Sequence, residues 1–291
     1  MSESAQPPLS IGAKATLACL WEATAPKPGN VYRGADFADL TYADFAASAA
    51  AIGPVFDRVG DLSVGELTLQ AVAATQAAVA TNTNLGTVLL LAPLAKADRI
   101  DALDATLGGL TVEDAVHAYA AIRLAAPGGL GEVDDADVAS APAITLLEAM
   151  RLAADRDLIA AQFANGFTEV LATAEHVALR ISQGKPLADA IVFSQLRLMA
   201  ERPDTLIARK CGEGVAEESA DRAAMALEAA EQDGDLRPAC AELDFWLRAD
   251  GHRRNPGATA DVIAAGLFVL LMENRLGWPV DFYGRRSSRS G

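Results

Sequence analysis

The chain has 291 residues, 51% of them apolar and 22% charged, which is a globular composition with ample material for a core and not that of a disordered chain. Its formal net charge of -15 argues against nonspecific binding to nucleic acid or to an anionic membrane, so an anionic ligand needs a local cluster of cations. Three scattered cysteines without a paired spacing suggest a reducing, cytoplasmic setting with inert thiols and no disulfide frame.

In chain order, helical patterns run over 12–24, 41–58, 63–80, 86–97, 111–126, 142–153, 167–182, 187–201, 214–232, 238–249 and 257–275, filled with Ala, Leu, Glu and Arg. Thr41 with Asp44, Ser63 with Glu66 and Thr111 with Asp114 have capping-box or near-capping-box spacing. No segment alternates with period two, so the fold class is all-α. We expect one compact multi-helix domain over 1–291, its active site built from Gly/Pro/Asn loops and its tails frayed at about 1–10 and 284–291. The longest apolar run, Val262 to Met272, is too short to span a bilayer, and the polar N-terminus is no signal peptide.

Loops interrupt these helices. In Ala25-Pro26-Lys27-Pro28-Gly29-Asn30-Val31, two prolines stiffen the backbone around Lys27 and should project its ammonium. Arg33, Asp36 and Asp39 follow, so the segment reads as a phosphate clamp with nearby carboxylates, or equally as a solvated connector. Asn82, Thr83 and Asn84 precede a buried helix; one of them suffices for capping, which leaves the others for a sugar or phosphate. Gly128 and Gly129 lie in a Gly-rich turn followed by Glu132, Asp134, Asp135 and Asp137, a spacing that suits Mg²⁺ with phosphate or an acidic surface turn. Asp204, Arg209 and Lys210 could hold a triphosphate or form a surface ion pair, the latter favoured on the segment alone. Arg253, Arg254 and Asn255 lead into a helix opened by Pro256 and Gly257, with Asp261 in its first turn. The three histidines show no zinc spacing; His117 and His176 read as helix-surface or core residues, and His252 as a candidate acid.

In this order the loops resemble the triphosphoribosyl-dephospho-CoA synthase family, from about residue 12 to 275. The resemblance implies an all-helical, Mg²⁺-dependent pentosyltransferase. It would use ATP as substrate, join it to a hydroxyl acceptor such as 3′-dephospho-CoA, and release adenine. Two motifs depart from the family pattern. Where the family reads GAHxDM this chain has Gly34 to Leu40, with Phe37 at the histidine and Asp39 retained. Where it reads NTHKG this chain has Asn82-Thr83-Asn84-Leu85-Gly86, the form of a divergent branch. The departures leave open a recruitment of the scaffold to another cofactor pathway, such as a methanopterin-type C1 carrier, or a non-catalytic nucleotide-binding regulator.

Expulsion of adenine passes through an oxocarbenium-like state that needs a carboxylate near the anomeric carbon and a base for the acceptor. The residues expected to serve are Asp36, Asp39 and Asp261 as catalytic carboxylates. Lys27, Asn30, Arg33, Asn82, Asn84, Gly128, Gly129, Arg209, Lys210, Arg254 and Asn255 are expected to bind substrate and phosphate, and Asp39, Asp137 and Asp261 the metal. The partners expected are small-molecule nucleotides, neither nucleic acid nor membrane, with a homodimer compatible with the Ala-rich helix faces.

Overall fold

The computed structural model describes residues 8–125, 142–233 and 235–284. Its element at the centre is the helix that the sequence makes apolar on every side, α14 (Gly257–Met272), where Val262 to Leu271 are all buried. A helix without a polar face must be surrounded, and α1 (Ile11–Thr24), α4 (Leu85–Ala97), α9 (Thr168–Ser182) and α10 (Leu187–Glu201) pack around it.

The remaining helices follow from local signals. α2 (Tyr42–Phe56) and α3 (Val64–Val79) begin at the expected capping boxes of Thr41 with Asp44 and Ser63 with Glu66. α6 (Val112–Ala125) begins at the reciprocal Thr111–Asp114 pair, and the second oxygen of Asp114 accepts the Gly65 N–H at 2.8 Å, tying the starts of α3 and α6 together. A further box, Thr145 with Glu148, starts α7 (Leu146–Ala153) four residues later than the apolar pattern suggests. Short helices at α5 (Leu103–Gly108), α8 (Leu158–Asn165) and α11 (Thr205–Cys211) are too brief to leave a periodic signature. α12 (Glu213–Asp233) and α13 (Leu236–Arg248) complete the set. Among the described residues there is no strand; Tyr32 with Ala35 and Phe37 with Leu40 form isolated bridges only. The all-α expectation therefore holds.

α10 carries two apolar faces. Leu187, Ile191 and Leu198 join the main core, whereas Val192, Leu196 and Met199 pack with Ile207 of α11, Ala223 of α12 and Leu243 and Leu247 of α13. One helix thus fixes the α11–α13 unit against the rest. No described helix is long and apolar enough to cross a membrane.

Candidate active site

A cavity of about 1260 Å³ opens between α1, the loop before α4, α7–α8, α11 and the start of α14. The N-terminus of α4 forms one wall. Asn82 Oδ1 accepts the Leu85 N–H at 3.1 Å and Thr83 Oγ1 is 2.6 Å from Ser48 Oγ. Asn84 holds the N-cap position without making a side-chain cap. It is 7% exposed, lines the cavity, and its Nδ2 has no hydrogen-bond partner. A buried amide donor left unpaired costs on the order of 1–3 kcal/mol unless a ligand meets it.

Asp261 stands opposite, half-buried and just past the first turn of α14 rather than within it as expected. Thr87 Oγ1 donates to its Oδ1 at 2.5 Å. A Cβ at Gly86 would fall 2.1 Å from Asp261 Oδ2, so glycine is what lets the two helix starts close on this carboxyl. Burial, reinforced by the nearby Glu22 charge, pushes the Asp261 carboxyl up to about 8, against the opposing pull of the Thr87 hydrogen bond. It is therefore largely protonated at neutral pH.

The cationic wall comes from α11. Asp204 caps that helix through Leu206 N and Ile207 N at 2.9 and 3.1 Å, and its other oxygen accepts Thr259 N and Oγ1 at 2.7 and 2.8 Å. Four donors consume this buried carboxylate, which serves to lock α11 onto the start of α14. Arg209 and Lys210, in the last turn of α11, line the cavity, and neither enters an ion pair among the described residues, so the surface ion pair favoured on the segment alone does not form. Asp39 lies at the exposed mouth, where His252 Nδ1 sits 3.0 Å from its Oδ1 and holds its carboxyl below the usual range. His252 also packs edge-on against Phe37, with ring centroids 6.0 Å apart. A histidine from the segment before α14 thus reaches Asp39, although position 37 itself is aromatic.

Asn30 and Asn255 are joined directly, Asn30 Nδ2 donating to Asn255 Oδ1 at 2.6 Å, while Gln195 Nε2 of α10 donates to Asn30 Oδ1 at 2.9 Å. This amide relay fixes which end of each side chain faces the cavity. Gln195 carried no sequence signal, because it is fully buried in mid-helix and acts through a residue 165 positions away.

Other expected residues lie elsewhere. Lys27 is 0% exposed and does not project: its Nζ is 2.9 Å from Glu22 Oε1 and donates to Glu22 O at 2.5 Å. The stiff loop is wedged against α10 and α13: Gln195 Nε2 donates to Pro28 O at 2.9 Å, and Gly29 has both a φ of 75° and no room for a Cβ, which would meet Leu247 at 2.6 Å. Asp36 accepts the Tyr42 N–H at 2.7 Å, and Arg33 is exposed; neither lines the cavity. Arg254 stacks over Trp246 at 4.4 Å and donates to its carbonyl, outside the cavity. Gly128, Gly129 and Asp137 fall outside the described residues. His176, paired with Ser194 and Arg180, is a buried structural residue, its imidazole pushed down to about 4 by desolvation.

The model of the ATP:dephospho-CoA triphosphoribosyl transferase family matches residues 8–280. The chain belongs to that family. It is a transferase, and its family describes transfer of a triphosphoribosyl group from ATP to dephospho-CoA. No curated protein matches the chain. A crystal structure from Archaeoglobus fulgidus, described as a triphosphoribosyl-dephospho-CoA synthase, superposes with a TM-score of 0.62 at 26% identity, covering 78% of this chain and 98% of its own. Of the residues expected to bind substrate or act on it, Asn30, Asn82, Asn84, Arg209, Lys210, Asn255 and Asp261 line the cavity, as does Asp39 at its mouth. Glu22, Thr87 and Gln195 were missed by the sequence reading: each is a common residue within a helix, and only its cross-chain partner marks it.

Proposed function

We propose that this transferase breaks the bond between adenine and the ribose of ATP and joins the triphosphoribosyl group to a hydroxyl of 3′-dephospho-CoA. The observation that carries this reading is the meeting, in one cavity, of two cations outside any ion pair among the described residues, a half-buried carboxyl that burial pushes up to about 8, and an unpaired buried amide. Arg209 and Lys210 would hold the triphosphate, and positioning by such contacts supplies much of the rate in reactions of this kind. Asn84 and Asn255 would bind ribose hydroxyls or base edges. Asp261, protonated at neutral pH, would donate to the departing adenine, a role that a carboxyl of ordinary acidity cannot fill.

Magnesium fits as a companion of the triphosphate rather than as a caged ion. Among the described residues no three metal-ligating side chains converge, whereas Mg²⁺ needs only one or two carboxylates beside phosphate oxygens. Asp39 at the mouth would hold it, where the ion would neutralise phosphate charge. Lys27 is read here as an internal counter-ion and Asp36 as a turn residue.

The test is liquid chromatography with mass detection of adenine from Mg-ATP, with and without 3′-dephospho-CoA. Adenine with the coupled triphosphoribosyl product is expected only when both substrates are present. ATP that binds without losing adenine in the presence of dephospho-CoA would overturn the reading.

A further inference from the structure

Displacement at the ribose carbon needs negative charge facing that carbon, and the carboxylates expected to supply it are committed elsewhere. Asp36 is a turn acceptor outside the cavity. Asp39 is exposed at the mouth and shared with His252. Asp261 has the role of acid toward adenine proposed above, and burial pushes its carboxyl up to about 8, so it is not the source of that negative charge.

Glu22 remains. It is the last acidic residue of α1, it is 7% exposed, and it lines the cavity one turn beyond Cys19. Among the described residues its carboxylate has one partner, Lys27, whose ammonium is fully buried 2.9 Å away. Lys27 is fixed in turn by the Glu22 carbonyl, by its two flanking prolines, and by the packing of Gly29 on Leu247. Burial pushes the Glu22 carboxyl up, and the Lys27 ammonium beside it opposes that shift and favours the charged form. A buried ion pair is a poor device for stability, since a well-packed apolar pair of like volume does as well or better. A pair whose anion faces a cavity while its cation is sealed behind it has another use: it presents fixed negative charge to whatever enters.

We propose that Glu22 is a catalytic carboxylate that faces the anomeric carbon of ATP and stabilises the positive charge of the ribose ring as adenine departs, with Lys27 as the positioning residue that holds it. The inference rests on the pentosyl-transfer reading above. In that step the C1′–N9 bond breaks and its electron pair leaves with adenine. The new C1′–O bond takes its pair from the acceptor oxygen, and the acceptor's hydroxyl proton balances the proton that adenine gains. Glu22 exchanges neither electrons nor protons; it acts by its charge.

The test compares two ligands on the full-length protein: an iminoribitol 5-triphosphate whose ring nitrogen is protonated, and its neutral tetrahydrofuran counterpart. The wild type is expected to bind the cationic ligand about a hundredfold more tightly. The double variant Glu22→Gln/Lys27→Met, which removes both charges together, is expected to lose that preference and to bind the neutral ligand unchanged. Its adenine release should fall about a hundredfold. Equal binding of the two ligands by the wild type overturns the proposal without any variant, and so does a double variant that keeps both preference and rate. Should the double variant not fold, Glu22→Asp replaces it, withdrawing the charge by one methylene. Slower release with a reduced preference supports the proposal, and an unchanged rate overturns it. A wild type that releases no adenine breaks the pentosyl-transfer reading instead, independently of the ligand comparison.

Discussion

The loop around Lys27 and the loop before α4 look alike in sequence, both short, polar and set between helices, yet they have opposite fates. The first is folded inward: Lys27 meets Glu22, Gly29 N donates to Asp244 at 2.8 Å, and Asn30 is held between Gln195 and Asn255. The second is open to the cavity, and after Asn82 has capped α4 and Thr83 has met Ser48, the Asn84 amide is left over. Asp204 and Asp261 repeat the contrast among acids. Asp204 receives four donors and has nothing left for a ligand, whereas Asp261 faces the cavity with its proton retained. Residue type does not distinguish these pairs; the fate of each hydrogen-bonding group does.

That contrast can be broken by substitution. Lys27→Met alone leaves Glu22 buried without its cation and should cost about 3–5 kcal/mol of stability in a urea titration. Loss of activity without loss of stability would return Lys27 to the ligand side of the comparison. Gly86→Ala should do the reverse. The added Cβ drives Asp261 from its place, and adenine release should drop about a hundredfold, the effect of misplacing a reacting group by an ångström.

Asp261→Asn sharpens the comparison through pH. A carboxyl held up near 8 in the native state keeps its proton while the unfolded chain has lost it, so the wild type binds more protons when folded. Its contribution is fully present below about pH 4 and is lost as the pH rises toward 8. Removing the group should therefore raise stability by about 2 kcal/mol at pH 7, after allowance for the water the cavity admits, and by nothing near pH 4. Unfolding titrations at both pH values decide it, and an equal effect at each would show that Asp261 titrates normally. The smallest effect belongs to Asn84→Ala, which removes the unpaired amide donor and no side-chain cap of α4. ATP affinity by calorimetry should weaken about 2–10-fold, the worth of one neutral hydrogen bond, with the melting temperature unchanged. A fall in melting temperature would reveal a partner inside the protein.

Much of the fold was legible in the sequence because helices are specified locally. The boxes at Thr41, Ser63 and Thr111 act over three residues, and α14 shows its central place by having no polar face. The helix expected at 142–153 begins at residue 146 because the box of Thr145 with Glu148 caps α7 there. Several residues of the candidate cavity were legible as well. Asn84, Arg209, Lys210, Asn255 and Asp261 were read from loop composition and the order of motifs, and all line the cavity. Lys27 was read as projecting, since prolines stiffen a loop without saying which way it faces.

The sequence by itself determined the helical class, most helix starts and the family, because capping, periodicity and motif order are properties of short stretches. The tertiary structure decided which polar groups are spent and which are available. Thr87 and Asp261 lie 174 residues apart, Asn30 and Asn255 lie 225 apart, and Asp204 is 55 from Thr259. Pairings over such distances arise only when helices pack, and packing alone hid Lys27 behind Glu22 and left the amide of Asn84 facing the cavity.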